Sequence, residues 1–105
     1  MSIILNSLDD YNNINNPENI IIIKIGADWC TPCKSISPFY NLLALNNKNP
    51  NIIYTEVDTT TAEDNLLDFL DVKSLPTFIF YKNNKILNKI IGCDKIILST
   101  YIDTL

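Results

Sequence analysis

Arginine and histidine are both missing from this chain of 105 residues, whose cations are eight lysines set against twelve acids for a net charge of −4. Without His, the commonest general base and the commonest zinc ligand are gone. An acidic chain with no Arg is poorly equipped to grip a phosphate backbone, which argues against a nucleic-acid partner. Long apolar runs are missing as well. The longest unbroken aliphatic stretch, Ile20 to Ile23, stops at Lys24. A membrane-spanning helix needs about 20 apolar residues, so no membrane partner is expected. The opening "MSIILNSLDD" has neither a basic region nor a long apolar segment, so no secretory leader is expected. The expected setting is cytoplasmic and reducing, where structural disulfides are rare. No repeat or linker divides the chain, and residues 1–105 are expected to form one domain. An apolar fraction of 47% is enough for a buried core. Ile and Asn are used heavily, and Lys stands for every Arg. That reads as the bias of an A+T-rich genome rather than as function.

What is present alternates between strand and helix. Ser2 to Asn6 is a short β-like start. "SLDDYNNI" places Ser7 three residues before Asp10, a capping-box-like opening for a short helix. "IIIIKIGA" is β-branched and almost wholly apolar, as in a strand buried on both faces. From Cys33 to about Asn47, apolar residues recur at helical spacing, with Pro38 expected to kink the helix. "NIIYTEVD" reads as a second buried strand. "TTTAEDNLLDFL" predicts a helix with hydroxyls and acids in its first turn and with Leu66, Phe69 and Leu70 on one face. "TFIFYK" and "KILNKII" are strands joined at Asn83–Asn84, since Asn tolerates positive φ. A closing amphipathic helix follows Asp94. The order βαβαβαββα predicts an α/β fold, a central mixed five-stranded sheet flanked by four helices. Sites on such sheets lie at the carboxyl ends of the parallel strands.

Cys30 and Cys33 fall at such an end, in "GADWCTPCKSISP". A helix N-terminus offers unpaired N–H groups and partial positive charge, which favour a thiolate. Pro32 suits a first helical turn, because its missing N–H has no intrahelical partner there. Trp29 is placed to shield the sulfur. Disulfide exchange needs one thiolate to attack and a second thiol to resolve the mixed disulfide, and C-x-x-C supplies both. A zinc site is disfavoured, since the third cysteine lies sixty residues further on and no His is present. A purely structural disulfide and inert buried thiols are the remaining alternatives.

Along nearly its whole length the sequence resembles the thioredoxin family. "WCTPCK" is similar to the family's active-site motif, with Thr31 where Gly is commonest. Pro38 lies where the family has its helix-kinking proline, and "SLPTF" resembles the loop that carries the family's cis-proline. Asp58, Gly92 and "KNNK" match family positions too. The resemblance implies the thioredoxin fold and a redox-active disulfide Cys30–Cys33 with no other cofactor and no metal. Cys30 would be the attacking nucleophile and Cys33 the resolving thiol. Leu75, Pro76 and Thr77 would line a groove for an extended substrate, with Trp29 covering the site. Gly92 and Cys93 belong to a loop bordering it. The implied partners are disulfide-containing proteins and a thioredoxin reductase or equivalent donor, with the chain acting as a monomer in electron transport and cell redox homeostasis. The resemblance implies a reductant rather than an oxidase, because Pro32 stands where the family's stronger oxidants tend to have His.

Two positions depart from the family. Where it has a buried acid behind the second cysteine, this chain has Lys24, expected near Tyr54 with Glu56 compensating its charge. Its cation is expected to favour a thiolate at Cys33 rather than act as a base toward that thiol, with snorkelling to water as the alternative. Cys93 is expected to be a small buried hydrophobe, with a mixed-disulfide role as the alternative. The expected activity is reduction of protein disulfides. A disulfide isomerase or oxidase, and a thioredoxin-fold binding subunit of a larger assembly, are the competing readings.

Overall fold

The computed structural model describes residues 2–105, which form five strands and four helices in the expected order. At the centre is β2 (Ile20–Gly26), the Ile-rich segment, whose Ile21, Ile22, Ile23 and Ile25 are fully buried. It pairs in parallel with β3 (Ile52–Asp58) and antiparallel with β4 (Thr77–Lys82). The short β1 (Ile3–Ile4) adds to β3 in parallel, and β5 (Lys85–Ile91) adds to β4 antiparallel. The sheet order is therefore β1-β3-β2-β4-β5. The β4–β5 turn is made by Asn83 and Asn84, both at positive φ, 53° and 63°. A two-residue hairpin with the right twist needs such a pair of left-handed residues.

Strand alternation divides the core in two. Ile21, Ile23, Ile25, Val57 and Tyr81 face α1 (Leu8–Ile14) and α3 (Asp64–Leu70), while Ile22, Tyr54, Phe78 and Phe80 face α2 (Thr31–Leu45) and α4 (Lys95–Ile102). Period two then puts Lys24 and Gly26 on the α2 face. Helix α1 opens with the expected capping box between Ser7 and Asp10. Helix α2 begins where expected, at Thr31 with Cys30 as its N-cap, and stays helical through Pro38 to Leu45. Tyr40 fixes it to the sheet: its ring is fully buried and its hydroxyl donates to the Thr55 carbonyl at 2.7 Å.

Helix α3 is shorter than the sequence suggested. The expected first turn around Thr59–Ala62 is instead a loop organised by Asp58. Its carboxylate accepts from the Thr60 N–H and hydroxyl, and its carbonyl accepts from the N–H groups of Thr61 and Ala62. The turn does not run on into α3, because Glu63 is extended and its N–H donates to the Asn6 carbonyl at 2.7 Å.

Candidate active site

Strand β2 ends at Gly26, and the chain turns through Ala27 and Asp28 into α2, which places Cys30 and Cys33 at the carboxyl end of the sheet's central strand. Cys30 is the helix N-cap. Its Sγ accepts from the backbone N–H of Cys33 at 3.3 Å, the role an oxygen normally plays at this position. The two residues are joined by a disulfide, with their Cα atoms 5.3 Å apart. Both are nearly covered, at 5% and 3% exposure. What remains open of Cys30 faces a recess whose rim includes Trp29, Thr31, Pro32 and Leu75.

Trp29 is not a core aromatic; it is 71% exposed and stands at that rim. Leu75 packs on Ala27, Cys30 and Cys33. The Leu75–Pro76 peptide is cis, and Pro76 is buried, its carbonyl accepting from the Gly92 N–H at 2.9 Å. Thr77 is buried as well, and its hydroxyl donates back to the Ser74 carbonyl, so of the three residues expected to line a groove only Leu75 borders the recess beside Cys30. Gly92 reaches the site through Pro76. Cys93 departs from the expectation of burial: it is a free, exposed thiol. Gly92, at φ +102°, turns the chain outward just before it.

On the other side of the disulfide lies a second recess, lined by Lys24, Gly26, Asp28, Cys33, Ser37 and Glu56 among others. Lys24 is buried, at 8% exposure, and lines this recess. Its Nζ donates to Ser37 Oγ at 2.6 Å, and Ser37 Oγ donates to the Cys33 carbonyl at 2.9 Å. Nζ also sits 5.7 Å from the centre of the Tyr40 ring. Burial holds the Lys24 ammonium below its usual range, and the nearby Glu56 charge offsets part of that effect. Glu56 is the cross-strand neighbour of Lys24, but its carboxylate accepts from Ser2 Oγ, and the only ion pair among the described residues joins Lys73 to Asp71. The expected compensation by Glu56 is thus one of field, without contact.

Ser37 and Gly26 were not singled out from the sequence. Ser37 lies four residues after Cys33, one helical turn, and that spacing was the available signal. Gly26 ends the strand directly under Cys33, where a Cβ would stand 3.1 Å from the Cys33 Cβ and Sγ.

The thioredoxin family profile matches residues 3–104. The chain belongs to the thioredoxin family. It is 47% identical over 78 residues to Thioredoxin-1 of Caenorhabditis elegans, a match covering 74% of this chain and 65% of the worm protein. It is 30% identical over 99 residues to the thioredoxin of Coprinus comatus, covering 94% of this chain and 92% of that one. Among solved structures, a mutant of Entamoeba histolytica thioredoxin superposes with a TM-score of 0.86 at 30% identity, over the full length of both chains. The expected thioredoxin fold is therefore the observed one. Thioredoxins are thiol–disulfide oxidoreductases, and the Cys30–Cys33 pair at a helix start is suited to that exchange.

Proposed function

We propose that the chain reduces disulfide bonds in protein substrates, with Cys30 as nucleophile and Cys33 as resolving thiol. The Cys33 N–H aimed at Cys30 Sγ carries this reading. With the disulfide reduced, that N–H and the positive end of α2 act on the Cys30 sulfur and favour its thiolate. The thiolate attacks one sulfur of a substrate disulfide, forms a mixed disulfide and expels the other substrate sulfur as a thiolate. Cys33 then attacks Cys30 Sγ, restores the internal disulfide and releases the second substrate thiolate. Two electrons pass to the substrate, and a dithiol donor such as a thioredoxin reductase returns them.

No group beyond the cysteine pair is needed for this chemistry. A substrate enters along Trp29 and Leu75, whose apolar surfaces flank Cys30. The reading includes a monomer serving cell redox homeostasis in a reducing, cytoplasmic setting, where an exposed thiol such as Cys93 stays unpaired. The test is reduction of insulin disulfides with dithiothreitol as electron source. Wild type should catalyse it, and Cys30→Ser should abolish it. Cys33→Ser should stop after one turnover and accumulate mixed disulfide. Catalysis retained in Cys30→Ser would overturn the assignment of the nucleophile.

A further inference from the structure

Lys24 is the one buried ionisable cation among the described residues, and disulfide exchange as described above gives it no part. Its surroundings are specific. The hydroxyl of Ser37 has a single proton, and geometry commits it to the Cys33 carbonyl at 2.9 Å. The oxygen must therefore accept from Lys24 Nζ, 2.6 Å away. Nζ is in this way held toward the turn of α2 that carries Cys33, in a recess that Cys33 itself lines.

The charges facing Lys24 come from every element packed there. Glu56 and Asp58 stand on β3, Asp28 in the turn before α2, Lys34 on α2, and Tyr40 presents its ring from α2. None of the carboxylates forms an ion pair with Lys24, and Glu56 is turned toward Ser2. A buried cation with no anion in contact acts strongly on any anion that forms beside it, because little water screens the pair. When the disulfide is reduced, the anion that can form in this recess is the thiolate of Cys33.

We propose that Lys24 is a positioning residue whose charge, aimed by Ser37, holds the resolving thiol Cys33 as a thiolate. This rests on the dithiol exchange proposed above. The Cys33 thiolate attacks Cys30 Sγ in the mixed disulfide, the Cys30–Cys33 bond forms, and the bond to the substrate breaks. The substrate sulfur leaves as a thiolate and takes its proton from water, while Lys24 keeps its own protons throughout. No carboxylate has to remove a proton from Cys33. Stabilising the reduced pair in this way also makes the protein a weaker reductant than it would be without Lys24, since a stabilised thiolate raises the reduction potential.

Two measurements test this without relying on turnover. In a Cys30→Ser background, Cys33 is alkylated with iodoacetamide across a pH series, with Lys24, Lys24→Met and Lys24→Arg compared. Lys24→Met should move the midpoint up by about one unit or more, the size of effect a neighbouring charge produces. Lys24→Arg should restore most of the shift. An unchanged midpoint in a folded Lys24→Met protein would overturn the proposal. The second measurement needs no variant at position 24. With nitrogen-labelled lysine, the Lys24 amine is titrated by NMR in Cys30→Ser and in Cys30→Ser/Cys33→Ser, so that Cys33 is the one active-site sulfur that differs. Coupling between two sites is reciprocal, so the amine should hold its proton to higher pH when Cys33 is present. The same titration in both proteins would also overturn it. Insulin reduction that fails while both titrations behave as described would refute the exchange activity and leave the Lys24–Cys33 coupling intact.

Discussion

A methyl group on Gly26 would stand 3.1 Å from both Cβ and Sγ of Cys33. Neither side can yield easily. Gly26 is hydrogen-bonded at the end of the central strand, its carbonyl accepting from the Thr59 N–H at 2.9 Å, and Cys33 is 3% exposed in the first turn of α2. Gly26→Ala is expected to push α2 away from β2 and destabilise the oxidised protein by about 1–3 kcal/mol, as overpacking of a dense core does. Urea unfolding of the oxidised variant measures this. A loss below about 0.5 kcal/mol would mean that the helix start gives way freely.

The parts of this molecule that were legible in sequence are those written in neighbouring residues. The buried strand β2, the Ser7–Asp10 capping box, the Asn83–Asn84 turn and the C-x-x-C at a helix start each rest on spacings of a few residues. What was not legible depends on how elements sit against one another. Lys24 was expected beside Glu56, its neighbour across the sheet, and the register is indeed that one. Its amine nonetheless goes to Ser37, because α2 crosses the same face and brings a hydroxyl over the strand. The length of α3 was misread because Glu63 is extended and its N–H goes to the distant Asn6 carbonyl, which ends the turn begun at Asp58. Cys93 was expected to be buried as free cysteines usually are, but it falls in a largely exposed stretch between β5 and α4.

Gly92 differs from Gly26 in the reason for its lack of a side chain. Nothing lies within 4 Å of the position a Cβ would take, yet its φ is +102°, a conformation L residues adopt only under strain. Gly92→Ala should therefore destabilise the fold through torsion alone, on the order of 1–3 kcal/mol. Because the Gly92 N–H holds the Pro76 carbonyl, the loss should include mobility at Leu75 beside the cysteines. Hydrogen exchange at residue 92 should accelerate more than exchange in β2. Equal acceleration in both places would show a global effect with no local one.

Cys93 is expected to be alkylated at once in the oxidised protein, with one thiol modified per chain, since Cys30 and Cys33 are joined and Cys93 is exposed. Cys93→Ser should leave stability within about 0.5 kcal/mol, as surface substitutions do. It should also leave the insulin-reduction rate unchanged. Mass spectrometry after iodoacetamide treatment reads the first outcome. Protection of Cys93 would contradict its exposure.

The phenols packed around α1 and α3 give the protein an alkaline limit. Tyr81 is 3% exposed, with Phe69 stacked at 5.4 Å and Tyr11 edge-on at 5.5 Å. Burial pushes its phenol up to about 12, and the neighbouring Tyr11 adds to the effect. In the unfolded chain a phenol ionises near 10. The sign follows from proton counting. Below about pH 10 both states keep the proton, and the stabilising preference for the neutral phenol is fully present. Between about pH 10 and about pH 12 the unfolded chain loses the proton while the native state retains it, so unfolding is favoured progressively. Above that range the native phenol ionises too, and the loss levels off. Tyr11 and the fully buried Tyr40 are raised by burial as well and add to the slope in the same direction. Urea unfolding at constant ionic strength should thus show stability falling from about pH 10 upward. Tyr81→Phe should flatten that fall and leave stability near neutral pH little changed. An identical alkaline slope in Tyr81→Phe would assign the loss to other groups, Tyr40 first among them.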